Sequence, residues 1–166
     1  MESTDVIATA TATATARTSG QVRRAAASDA GDVARLYGTL VSNPDMQVLP
    51  ERLTQLAADA STALLVFEDD GGVHGTVLVS LCADAMFGQR PFAVIENVVV
   101  DPARRGCGIG GRLLSAVEDF CRAAHCTKIM LLSTASREHA HVFFERSGYS
   151  GGVKRGFVKY SRDFYD

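Results

Sequence analysis

Four of the six residues from 106 to 111 are glycine, in the stretch RRGCGIGG, and this cluster limits the fold more than any other segment of the chain. Glycine loses more conformational freedom on folding than any other residue, so a cluster belongs where the backbone turns with positive φ or is approached closely. Before it runs FAVIENVVV, residues 92–100, apolar and β-branched enough for a central strand. After it Ile109, Leu113, Val117, Phe120 and Ala124 recur at helical spacing, predicting an amphipathic helix of about four turns. In such a strand, loop and helix, the free N–H groups and dipole of the first helical turn both point at the loop. A phosphate is the ligand this arrangement suits best.

The remaining chain surrounds that unit with a mixed sheet. Residues 21–25 (QVRRA) predict a short strand, followed by a helix with Ser28 as N-cap and Asp29 and Asp32 in its first turn. Val33, Leu36, Tyr37 and Leu40 give that helix one apolar stripe. Pro50 opens a second helix, ERLTQLAADA, after a loop over 42–49. TALLVFED, DDGG and VHGTVLVSLCA read as strand, turn and strand. A polar loop over 84–90 leads to the central strand. Beyond the glycine helix, KIMLLS (128–133) predicts a strand and EHAHVFFERS a helix stopped by Gly148, and residues 151–160 can supply two short strands. The fold class is α+β.

At 166 residues there is room for one domain. We assign it to 21–166 and set aside residues 1–20, whose ATATATATA run (8–16) is too small and uniform to build a core. Its Ala/Thr alternation suits an edge strand against a neighbouring chain. A net charge of −2 argues against nucleic acid as a partner. No apolar run approaches the roughly 20 residues of a membrane-spanning helix, so a membrane is not expected as a partner either. Cys82, Cys107, Cys121 and Cys126 show no C-x-x-C spacing; we read them as reduced thiols of a cytoplasmic protein without a metal.

Two familiar phosphate patterns fail on counting. Gly106, Gly108 and Gly111 match G-x-G-x-x-G, but DPARR separates them from the strand, and the next strand ends in Ser133 and Thr134 where an acidic residue is wanted. Gly106 and Gly111 also have nucleoside-triphosphate loop spacing, yet Arg112 and Leu113 replace its Lys and Ser/Thr. A plain tight turn remains the bland alternative. A third pattern uses more of the chain. Arg105, Gly108 and Gly110 fit [Q/R]-x-x-G-x-[G/A], IENVVVDP precedes them, and AHVFFERSGY (140–149) follows. In these features the chain resembles the GNAT N-acetyltransferase family over about residues 21–160.

The resemblance implies the acyl-coenzyme A N-acyltransferase fold, with a central mixed six- or seven-stranded sheet and four helices. It implies acetyl-coenzyme A as cosubstrate, its pyrophosphate held by the backbone of Arg105, Gly106, Cys107, Gly108, Ile109, Gly110 and Gly111. Side chains at 106, 108 and 110 would block that approach; Arg104, Arg105 and Arg112 could add charge. The backbone of Val98, Val99 and Val100 would bond pantetheine and the acetyl carbonyl. An amine reaches the site as ammonium, with a reference pKa of about 10, and must lose a proton before attack. Glu96, the one carboxylate on the central strand, is the candidate base, with an outward-facing structural carboxylate as the alternative. Asn97 should point to the opposite face by strand alternation.

Phe144, counted with the cofactor-binding residues, stands where the family places a tyrosine that protonates the leaving thiolate. Phenylalanine cannot donate. Ser133, Thr134, His139, His141 and Tyr149 are the substitutes, with His139 and His141 preferred as catalytic residues. A covalent acetyl-cysteine at Cys107 or Cys126 finds no adjacent base in the sequence. The acceptor is expected to be a primary amine of a small molecule, attacked directly in a ternary complex. Asp45, Asp84, Lys154 and Arg155 in the connecting loops are candidates for choosing it. The missing tyrosine also allows a catalytically impaired acetyl-coenzyme A sensor. The resemblance further allows a homodimer through the C-terminal strands.

Overall fold

Three long strands, covered on both faces so that runs such as 63–67 and 73–77 are buried without a break, build the centre of the molecule, a computed structural model that describes residues 19–164. In chain order the elements are β1 (Gln21–Arg24), α1 (Ala30–Gly38), α2 (Pro50–Ala58), β2 (Thr62–Asp69), β3 (Gly72–Cys82), β4 (Phe92–Val100), α3 (Ile109–Ala123), β5 (Ile129–Leu131) and α4 (Glu138–Arg146). Short 3₁₀ turns precede α1 and follow β4. The expected behaviour of the Ala/Thr run lies outside the described residues. Among those described, no helix is long and apolar enough to cross a membrane.

The sheet order is β1-β2-β3-β4-β5, antiparallel except for the parallel β4–β5 pair. Five strands therefore replace the six or seven expected. Residues 151–160 form no strand: Gly151, Gly152 and Gly156 weaken strand formation there, and Phe157 and Val158 stay exposed. β5 is also shorter than the KIMLLS run, because its pairing stops where Leu131 faces Ile95.

Each face of the sheet carries its own core. On one face Leu65, Phe67, Val77, Val79 and Ile95 meet Ile109, Leu113, Leu114 and Val117 of α3. Their 4-1-3 spacing forms one buried helix face, and each such side chain contributes about 1.5–3 kcal/mol on burial. On the other face Val33 and Leu36 of α1 and Leu53 of α2 cover Leu64, Val66 and Val99. Gly75 lets α3 lie close to the sheet, since a β-carbon there would stand 2.9 Å from Ile109 Cγ2.

Helix ends follow local chemistry. Pro50 occupies the first turn of α2, as its fixed φ and missing N–H allow. Ser28 is not the cap of α1: it sits inside the 3₁₀ turn Ala27–Asp29, while Asp29 accepts from Ala26 N at 2.7 Å and from Arg23 through both guanidinium nitrogens at 2.6 and 2.9 Å. α3 stops in a Schellman arrangement. His125 takes φ +53, its N–H reaches Arg122 O at 3.1 Å, and Cys126 N–H returns to Cys121 O at 3.0 Å.

Candidate active site

The site begins with a fault in β4. Between Thr76↔Val99 and Leu78↔Glu96 the register slips, so β4 carries one residue more than β3. This is a β-bulge, a device that re-aims side chains and bends a strand. Asn97 sits in it with φ +54, a left-handed conformation that asparagine tolerates better than most residues. The extra residue changes the strand's phase, placing Ile95, Val98 and Val100 together on the α3 face and Val99 on the α1 face. Simple alternation therefore fails at Asn97. Its side chain hydrogen-bonds Tyr37 of α1, whose phenol burial pushes above its ordinary range.

Past Ile95↔Leu131, β4 and β5 no longer pair, and a cleft of about 1110 Å³ opens between Glu96–Val100 and the Leu132–Thr134 segment. Its floor continues into the glycine loop. Gly106 and Gly108 have φ +79 and +82, and a β-carbon on either would meet nothing within 4 Å. Gly111 also faces open space. Gly110 does not: a β-carbon there would stand 2.9 Å from Phe143 Cζ. Gly110 is thus required by the packing of α4 against α3, which corrects the expectation that its hydrogen serves ligand approach.

Gly108 is the N-cap of α3, and no side chain among the described residues caps this helix. The first amide of the stretch to meet a backbone carbonyl is that of Arg112, on Gly108 O at 3.2 Å. Among the described residues the preceding N–H groups of the first turn have no backbone carbonyl partner, the state in which a helix N-terminus can receive a ligand or water. Donor set and bare backbone fit a diphosphate. Arg104 and Arg105 also line the cleft. Arg112 does not; its guanidinium lies 4.8 Å over the Phe67 ring and donates to Gly20 O.

Most residues expected at the site meet there. Glu96, Val98, Val99 and Val100 line the cleft along β4, as do Arg105, Gly106, Gly108, Ile109, Gly110 and Gly111 in the loop and first helical turn, and His139 and Phe144 on α4. Glu96 is exposed. Cys107 and His141 are not on the cleft wall: the Cys107 thiol lies 3.8 Å from Arg105 O, and His141 Nε2 is 3.1 Å from Thr134 O. Tyr149 is likewise absent from the wall. It packs edge-on to Phe144, and burial with nearby Glu118 and Cys121 pushes its phenol up to about 12. Ser133 does line the cleft, with a buried Oγ that has no partner among the described residues.

Asp45, Asp84, Lys154 and Arg155 do not line the cleft. Sequence reasoning missed Thr39, Leu40 and Val41 after α1, Arg137 before α4, and Tyr160 near the C-terminus. No periodicity marks such positions, because the path of the loops brings them in. Cys126 lies at a separate, open hollow of about 740 Å³ beside the C-terminal end of α3, lined also by Cys121 and His125.

The sequence model described as the acetyltransferase (GNAT) family matches residues 32–149. An aminoglycoside N(6')-acetyltransferase type 1 from Stenotrophomonas maltophilia is 33% identical over 131 residues, 77% of this chain and 84% of that protein. A glucosamine 6-phosphate N-acetyltransferase from Trypanosoma brucei brucei is 30% identical over 88 residues, 53% of this chain and 58% of that protein. Among solved structures, a Trypanosoma brucei acetyltransferase superposes with TM-score 0.71 at 25% identity, covering 85% of this chain and 99% of that one. The glucosamine-6-phosphate N-acetyltransferase of Arabidopsis thaliana shares the fold, with TM-score 0.75 at 22% identity over 87% of this chain and 99% of that one. With a bulged central strand, a bare glycine loop at a helix N-terminus and these matches in agreement, the chain belongs to the GNAT acetyltransferase family and is an acetyl-coenzyme A-dependent acyltransferase.

Proposed function

We propose that this enzyme transfers the acetyl group of acetyl-coenzyme A to a primary amine of a small, amino-sugar-like molecule, by direct attack in a ternary complex. One observation carries the reading: the bulge at Asn97, the end of β4–β5 pairing and the uncapped glycine turn all open on a single cleft. The loop N–H groups from Arg105 to Gly111, with Arg104 and Arg105 nearby, would hold the diphosphate. The side of β4 that β5 abandons after Ile95 would take pantetheine and the acetyl carbonyl along Val98–Val100.

Glu96 supplies the base. Its exposed carboxylate stands on the cleft wall beside the bulge, where it removes a proton from the ammonium directly or through one water. The neutral amine then attacks the thioester carbonyl to form the C–N bond. The tetrahedral adduct collapses with cleavage of the C–S bond while its nitrogen gives up a second proton, to the departing thiolate of coenzyme A or to water. Phe144 donates nothing to that thiolate, and His141 and Tyr149 lie off the cleft wall. His139, Thr134 and Ser133, which all line the cleft, remain as the candidate donors. A thiol with reference pKa of about 8.5 is a workable leaving group even without one.

The names of the relatives support an amino sugar as acceptor. So does the mixed charge of the cleft, where Glu96 and Glu138 suit a cationic amine and Arg137 an anionic substituent. Exposed Phe157 and Val158 support a homodimer through the C-terminal segment. A thiol-release assay over amino sugars, aminoglycosides and lysine peptides, with calorimetry of acetyl-coenzyme A binding, tests the proposal. Turnover of amino sugars is expected. Tight binding with no turnover of any amine would instead establish a sensor lacking chemistry.

A further inference from the structure

His74, near the start of β3, is 8% exposed and lies between two carboxylates. Its Nε2 is 3.0 Å from Asp69 Oδ1 and its Nδ1 is 3.8 Å from Asp101 Oδ2. Neither nitrogen makes a well-aligned hydrogen bond among the described residues. The imidazole is thus held by close approach to two carboxylates rather than by aligned hydrogen bonds, an arrangement that adds little to stability, since buried polar groups are costly unless satisfied. The two carboxylates, however, both lead to the glycine loop. Asp69 Oδ2 is 3.3 Å from Arg104 Nη1, and Arg104 lines the cleft. Asp101 accepts from Ala103 N at 3.0 Å, which shapes the Pro102–Arg104 turn that leads into the loop.

The other groups facing this pocket complete the lattice. Arg35 of α1 donates to Asp101 Oδ2 at 2.9 Å and to Val73 O at 2.7 Å, and pairs with Asp32 at 3.2 Å. Three carboxylates, Asp32, Asp69 and Asp101, thus surround two guanidinium groups, Arg35 and Arg104, with His74 in the middle. Gly71 closes the remaining side, where a β-carbon would stand 3.1 Å from His74 Nε2 and 3.2 Å from Arg104 Nη2. The Asp69 carboxyl is held below its ordinary range chiefly by the Gly71 amide, with the Arg104 guanidinium and His74 beside it.

We propose that His74 is a positioning residue for the diphosphate arm of the acyl donor, acting through Asp69 on Arg104 and through Asp101 on the turn that enters the glycine loop. It touches no substrate itself. Its imidazole spaces the two carboxylates so that Arg104 is presented to the cleft. The proposal rests on the reading that this cleft takes acetyl-coenzyme A.

The test compares two donors, acetyl-coenzyme A and acetyl-pantetheine, which lacks the diphosphate and nucleotide. For His74→Phe we expect KM for acetyl-coenzyme A to rise about tenfold with kcat held within about twofold, and kinetics with acetyl-pantetheine to stay at the wild-type level. His74→Gln, whose amide reaches toward Asp69, should recover most of the loss. Asp69→Asn should reproduce the Phe signature, which keeps the test decisive should His74→Phe fold poorly. Equal losses on both donors, or no loss on either, overturn the role of His74 alone. Failure of the wild-type enzyme to bind coenzyme A by calorimetry overturns this role together with the function on which it rests.

Discussion

Phe143 of α4 seats its ring edge against Gly110 of α3, with ring carbon Cζ 2.9 Å from the position a β-carbon would take. Two adjacent glycines thereby do different jobs, because Gly111 faces nothing within 4 Å. Gly110→Ala should push Phe143 off its seat and cost about 1–3 kcal/mol, the usual penalty of overpacking. Gly111→Ala, inside a helix, should stabilise by about 0.5–1 kcal/mol. Urea denaturation of the two variants checks the contrast, and a more stable Gly110→Ala would refute the packing role.

The bare turn at Gly108 leads to a second expectation. Its φ of +82 leaves a non-glycine residue strained, by roughly 1–2 kcal/mol, and a carboxylate there would face the proposed diphosphate. Gly108→Glu should weaken acetyl-coenzyme A binding at least tenfold, by about 1.4 kcal/mol or more. Calorimetry at fixed salt measures this. Unchanged affinity would remove the loop from the donor site.

Glu96→Gln preserves shape while removing the base. A positioned general base is typically worth ~10² to 10⁴ in rate, so kcat with an amino-sugar acceptor should fall within that range. KM for acetyl-coenzyme A should stay near its wild-type value. Steady-state kinetics across pH checks both, since the activity that remains should climb steadily as more of the amine is neutral in solution. A kcat within twofold of wild type would return Glu96 to a surface role.

How much of this was legible beforehand depended on how local each cause is. FAVIENVVV forms a strand with the bounds its composition suggests, and Pro50 opens its helix, because propensity and burial agree there. The glycine loop was readable for the same reason: strand, φ > 0 positions and helix are consecutive. The phase of β4 was not. A bulge is decided by the pairing of β3 with β4, and the only local hint was Asn97, a residue that accepts left-handed φ. Residues 151–160 form no strand, because Gly151, Gly152 and Gly156 weaken strand formation there. His141 and Tyr149 carry suitable chemistry, yet both lie off the cleft wall, and only the tertiary path shows it. His74 carried no signal of its own: Asp69 becomes its neighbour across the β2–β3 turn, but Asp101 does so only when that hairpin folds beside the end of β4.

Asp29 should govern the response of stability to acid. It is 6% exposed, and its carboxyl is held below its ordinary range chiefly by the two hydrogen bonds from Arg23, assisted by the Ala26 amide. A carboxyl whose folded pKa lies below its unfolded value of about 3.9 binds more protons when the chain is unfolded. Its stabilisation is therefore fully present above that unfolded value and is lost as pH falls through the folded one. Urea denaturation of the wild type between pH 7 and pH 3 should show a decline confined to the acid end. Asp29→Asn leaves the partly exposed Arg23 with Glu68 as its acidic partner among the described residues, and losing a hydrogen bond to a charged group costs about 1.5–3 kcal/mol. The variant should be less stable at pH 7 and should lose less on going to pH 3. An equal acid decline in both proteins would assign the effect to other carboxylates.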